Sequence, residues 1–178
     1  MGADLLDLYR RASEWTTGKV AGAAANPHAP TPCDEWDVHL LVNHMLDTQD
    51  YFVRTARGED AAPPSGSPPD TNREDPAADF RAACDEVLTT FGEPGVIERT
   101  GPALGIAFSD QLLHGWDLAR ATGQDPTMPE GLPEAGYEMI HGRFTEDQRK
   151  GVFKPEVEVA ADSTAQERFL AYTGRRPE

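Results

Sequence analysis

Apolar side chains recur at intervals of three and four along most of this chain, and each run is cut off by a cluster of Pro, Gly or acidic residues. That period places them on one face of a helix, which confines the chain to folds in which helices bury a stripe against one another. A first helix is expected from Asp4 to about Ala25, with Leu5, Leu8, Tyr9, Ala12, Trp15, Thr16 and Val20 facing inward. The three prolines of NPHAPTPCDEW end it, and Asp37 then N-caps a second helix that runs to Arg57 on Val38, Leu41, Val42, Met45, Phe52 and Val53. Residues 58–74, rich in Pro, Gly, Ser and acid, have no period and are expected to form a flexible loop. Asp75 followed by Pro76 opens a third helix carrying Phe80, Ala83, Cys84, Val87, Leu88 and Phe91. A fourth spans Ala103–Thr122 and stops at Gly123. A fifth helical stretch is expected over about Glu134–Lys150, and a short last helix begins at a Ser163/Gln166 capping box and closes after Tyr172 at Gly174. VEVAA near 157 is the one candidate for extended chain. With no repeat and no set of alternating strands, the fold class is all-α: four long helices in a bundle, whose long connectors allow a crossover topology.

The 178 residues are enough for one core of ordinary size, so one domain over 1–178 is expected. Charge narrows the partners. Against 31 Asp+Glu there are only 16 Lys+Arg, with no basic stripe, which argues against nucleic acid or an anionic membrane. No apolar run approaches the ~20 residues that span a bilayer, and MGADLLDLYRRAS lacks a leader pattern, so a cytoplasmic protein with Cys33 and Cys84 as reduced thiols is expected.

The fourth helix contains DQLLHGWDLARATG, in which Asp110, His114 and Asp117 fall within an arc of roughly 60° at 100° per residue. Leu104, Phe108, Leu112 and Trp116 cover the opposite side, so the polar residues lie on a helix destined for burial, where unpartnered carboxylates cost several kcal/mol. A divalent metal compensates directly, since Asp110 and His114 at i, i+4 can face one ion and His44, at the edge of the second helix's stripe, supplies a third ligand ahead of His39. A structural Asp–His hydrogen bond and a solvated edge are the alternatives these residues leave open. Asp117 reads as a partner of a ligand histidine or of Arg120. His28 reads as a loop residue, His141 as a packing residue within possible reach of the site, Trp36 and Trp116 as core anchors, and Cys33 as packing near the start of the second helix.

The segments TPCDEWDVHLLVNHM (31–45) and DQLLHGWDLARATGQ (110–124) together resemble the paired motifs of the mycothiol-dependent maleylpyruvate isomerase N-terminal-domain family, within the DinB-like metal-binding four-helix superfamily. The tail VEVAADSTAQERFLAYTGRRPE resembles the ending of short actinobacterial members. The resemblance implies a DinB-like four-helix bundle with an additional C-terminal helical segment, and a divalent metal, usually zinc, held by His44, Asp110 and His114. It also implies mycothiol as thiol cofactor, activated at the open coordination position for transfer to, or isomerisation of, a small electrophile. The carboxylate is Asp110 where the isomerases carry Glu, and the chain is shorter than full-length maleylpyruvate isomerases, which have a further C-terminal domain. A thiol-independent metal-dependent hydrolase or cyclase of secondary metabolism and a non-catalytic metal-binding module are the competing readings.

Overall fold

The computed structural model describes residues 2–71 and 74–177, and every regular element among them is a helix. They are α1 (Gly2–Ala23), α2 (Val38–Ala56), α3 (Pro76–Phe91), α4 (Val96–Thr100), α5 (Ala103–Thr122), α6 (Leu132–Ile140), α7 (Glu146–Val152) and α8 (Ala165–Tyr172). The four long helices α1, α2, α3 and α5 pack in the ring order α1–α3–α2–α5, which places α1 diagonally across from α2 and α3 across from α5. Consecutive helices would be neighbours in a simple up-down bundle; here the connector 24–37 crosses the bundle end, the arrangement that long connectors permit. Among the described residues no helix is long and apolar enough to cross a membrane.

The stripes read from the period are the core. Tyr9, Ala12 and Val20 of α1, Leu41 and Met45 of α2, Phe80 and Phe91 of α3, and Leu104, Phe108 and Leu112 of α5 are all buried. Asp37 caps α2 by accepting from the Leu40 N–H at 2.9 Å, and Asp75 caps α3 by accepting from Ala78 N–H at 3.0 Å. α5 lies deepest, with nearly every residue from Ala103 to Ala119 buried, because α1 and α2 flank it and α6 packs on its outer side. α8 closes the molecule against α6.

Two expectations are corrected. The fifth helical stretch is two helices: Gly142 takes a left-handed conformation (φ 70°), and Thr145 with Gln148 forms a capping box that starts α7 afresh. The capping box of the last helix is Thr164 with Glu167, one residue beyond Ser163 and Gln166. Between α3 and α5 the chain also forms a single helical turn, α4, entered through Gly95 at φ 78°. VEVAA forms no strand; Val157 N–H makes one backbone bond to Ala171 O at 3.0 Å. The 58–74 loop is irregular where described, and Asn72 and Arg73 within it lie outside the described residues.

Candidate metal centre

α2 and α5 are neighbours in the ring, and their facing sides bring together His44, Asp110 and His114. His114 Nε2 lies 3.4 Å from Asp110 Oδ1, and His44 Nε2 lies 3.8 Å from the same oxygen. The ligand-capable atoms of the three residues are all within 4.8 Å of one another. Metal–ligand bonds of about 2.1 Å at tetrahedral angles put donor atoms roughly 3.4 Å apart, so the observed spacings fit one divalent ion with modest adjustment. Two atoms of the set, Asp110 Oδ2 and His44 Nδ1, are buried with no hydrogen-bond partner, an arrangement that is unfavourable unless something further satisfies the group. Two imidazoles and one carboxylate make a donor set suited to zinc and leave a fourth position open. Asp110 is the most open of the three, with 22% of its side chain exposed against 13% for His44 and 10% for His114.

Electrostatics tie the three together. Burial raises the Asp110 carboxyl, but the neighbouring His114, and then His44, more than reverse this and hold it well below the usual carboxylate range. Burial lowers His114, and the Asp110 charge together with hydrogen bonds to Asp110, Asp117 and Cys33 raises it well above the usual histidine range.

The other face of His114 is equally organised. Its Nδ1 is 3.0 Å from Asp117 Oδ2, and Asp117, wholly buried, pairs with Arg175. Burial raises Asp117, and the Arg175 guanidinium and the His114 contact hold it well below the usual range. Asp117 contacts His114, and its cationic partner is Arg175 in place of Arg120, whose guanidinium lies over the Trp116 ring at 5.7 Å. Cys33 reaches the same cluster, its thiol donating to Asp117 Oδ2 at 3.3 Å with His114 Nδ1 at 3.9 Å. Cys33, His114 and Asp117 thus form a second group of ligand-type atoms, but Arg175 already places a cation on it, 2.6 Å from Asp117 Oδ2 and 4.0 Å from Cys33 Sγ. This group is the support behind His114.

Cys33 sits here because of a local turn. Thr31 Oγ1 accepts from Cys33 N–H at 3.1 Å and donates to Trp36 O at 2.7 Å, while Trp36 N–H donates to Cys33 O at 2.9 Å. The same turn lays the Trp36 ring on His44, with centroids 4.5 Å apart and planes 30° apart, and Trp36 Nε1 donates to Gly66 O at 2.9 Å. Trp36 is therefore a wall of the centre where a core anchor was expected, and the 58–74 loop borders the site through Gly66. Sequence reasoning passed over Cys33 and Trp36 as packing residues and did not consider Arg175; the TPCDEW motif contained the first two. The remaining histidines lie elsewhere: His39 pairs with Asp70 at 3.1 Å, exposed His28 with Asp37 at 3.1 Å, and His141, exposed rather than partly buried, stacks on Tyr137 with centroids 4.6 Å apart. An open cleft of about 400 Å³ between α6 and α8, lined by Met128, Pro133, Gln166 and Leu170, contains none of these residues.

Two proteins of Mycobacterium tuberculosis, "Uncharacterized protein MT0763" (strain CDC 1551 / Oshkosh) and "Uncharacterized protein Rv0738" (strain H37Rv), are each 28% identical to this chain over 150 residues, covering 77% of it and 76% of their own length. No solved structure matches the chain significantly. The family model described as mycothiol maleylpyruvate isomerase N-terminal domain matches residues 9–119, a segment that contains α2, α3, most of α1 and α5, and His44, Asp110, His114 and Asp117. The chain belongs to the mycothiol maleylpyruvate isomerase N-terminal domain family.

Proposed function

We propose that the chain is a metalloenzyme in which His44, Asp110 and His114 hold a divalent ion, zinc by donor type, and that it activates a low-molecular-weight thiol, mycothiol, for transfer to or isomerisation of a small electrophile. The observation that carries the metal is the convergence of three donor atoms, His114 Nε2 and His44 Nε2 at 3.4 and 3.8 Å from Asp110 Oδ1, on residues whose other polar atoms, Asp110 Oδ2 and His44 Nδ1, are buried with no hydrogen-bond partner. Mycothiol enters from the family's name. When bound, the ion would supply Lewis acidity at its open position, lowering the pKa of a thiol or water taken up there.

The chain's own residues support that chemistry. Asp110, the most exposed ligand, marks the side from which a thiol arrives, and the Trp36 ring shields His44 from water. Asp117 accepts from His114 Nδ1, which orients the imidazole and leaves Nε2 for the ion. Free Cys33 and Cys84 fit a reducing cytoplasm.

Elemental analysis of the purified full chain tests the metal. Wild type is expected to carry about one divalent ion per chain and His114→Ala at least tenfold less, by the loss of one of three ligands; equal and negligible metal in both sinks the proposal. A panel of electrophiles assayed with and without mycothiol tests the thiol. Turnover that ignores mycothiol would move the reading to a metal-dependent hydrolase or cyclase.

A further inference from the structure

Asp117 is the most deeply buried charged group of the centre, and Arg175, from the segment after α8, reaches it from outside the segment matched to the family. The guanidinium donates from Nε to Oδ1 at 2.8 Å and from Nη2 to Oδ2 at 2.6 Å, a two-pronged contact that fixes the carboxylate in orientation as well as position. Arg175 is itself held. Its Nη1 donates to Thr173 Oγ1 at 3.0 Å, its backbone N–H donates to Leu170 O at 3.0 Å, and Gly174, at φ 81°, turns the backbone in a way that favours glycine. With only 13% of its side chain exposed, Arg175 is a largely buried cation whose ion-pair partner is Asp117.

Both oxygens of Asp117 thus receive donors, and toward His114 the carboxylate is an acceptor. The hydrogen bond at 3.0 Å then places a proton on Nδ1, so the ring is held with Nε2 directed toward Asp110 and His44. Were Asp117 free to rotate, nothing else on that side would hold the ring, because Cys33 at 3.9 Å is a weak partner.

We propose that Arg175 is a positioning residue of the metal centre: it fixes the Asp117 carboxylate against Nδ1 of His114 and thereby aims Nε2 at the metal position. The inference rests on the metal reading above. Zinc affinity by chelator competition and the visible spectrum of the cobalt(II)-loaded full chain are measured for wild type, Arg175→Gln, Arg175→Lys, Asp117→Asn and the Asp117→Asn/Arg175→Gln double variant. Arg175→Gln is expected to lose about 10- to 100-fold in zinc affinity, the range for the support behind a ligand histidine. Its cobalt band at saturation should shift, and Arg175→Lys should recover part of both. In the Asp117→Asn background the same change should cost less than about threefold, since the path through Asp117 is already cut. A wild-type affinity within twofold in Arg175→Gln, an unchanged saturated cobalt spectrum, or an equal loss in both backgrounds overturns the inference and leaves the metal reading standing. Absence of zinc binding by wild type overturns both. Should Arg175→Gln fail to fold, Arg175→Lys carries the test, with a wild-type spectrum and affinity as the overturning result.

Discussion

Cys33 and Cys84 are chemically identical side chains in opposite settings. Cys84 is 1% exposed in the core of α3, and burial pushes its thiol up to about 11, so at pH 8 about one molecule in a thousand has the thiolate. Cys33 is partly exposed beside the Arg175 guanidinium. Iodoacetamide at pH 8 should therefore label Cys33 at least tenfold faster than Cys84 in the folded protein, read by peptide mass spectrometry, with the difference abolished in denaturant. Comparable labelling of Cys84 in the native state would contradict the burial described. The spacing of Asp110 and His114 was legible because both lie on one regular helix, where sequence interval translates into direction. Cys33, Trp36 and Arg175 were not, because the turn at 31–36 and the tail after α8 have no period, and only the docking of distant segments decides where their side chains go.

At the scale of the element, α5 owes its depth to close approach. A Cβ at Gly115 would fall 2.6 Å from Trp15 Cζ3 and 3.0 Å from Thr16 Oγ1, and the Trp15 ring cannot readily retreat while its Nε1 donates to Thr127 O at 3.0 Å. Gly115→Ala gains at most about 1 kcal/mol of helix propensity but overpacks the α1–α5 contact at a cost of about 1–3 kcal/mol, so a net loss is expected. Gly18→Ala on exposed α1 surface, where a Cβ meets nothing within 4 Å, gains the propensity without the clash. Thermal unfolding should show opposite shifts of a few degrees for the same chemical change, at about 2–4 °C per kcal/mol for a chain of this size; like-signed shifts would sink the packing argument. The boundaries of α2, α3 and α5 were legible from Asp37, Asp75–Pro76 and Gly123, residues that end helices by their own chemistry. The α6–α7 break was legible in principle from Gly142 and the Thr145/Gln148 box, but the apolar period running from Tyr137 to Phe144 masked it.

In the molecule as a whole, the proposed ligands join α2 to α5, and their support joins α5 to the segment after α8. A metal bound there would act on the folded state alone. Zinc at a hundred times its dissociation constant should add about 2.7 kcal/mol and raise the melting temperature by roughly 5–10 °C, an effect reversed by chelator and absent in His44→Ala. An equal rise in His44→Ala would show that the ion sits elsewhere, and no rise in wild type would show that zinc does not favour the folded state. The all-helical class and the bundle were legible from periodicity, whereas the ring order α1–α3–α2–α5 was not, since no local signal states which helix lies beside which. On the ribosome, the four long helices are all synthesised before Arg175 exists, so a nascent chain can complete its bundle and set His44 opposite His114 while Asp117 still lacks its counter-ion. The Asp117–Arg175 contact can close only after residue 175 has been made, later than every residue of the four long helices.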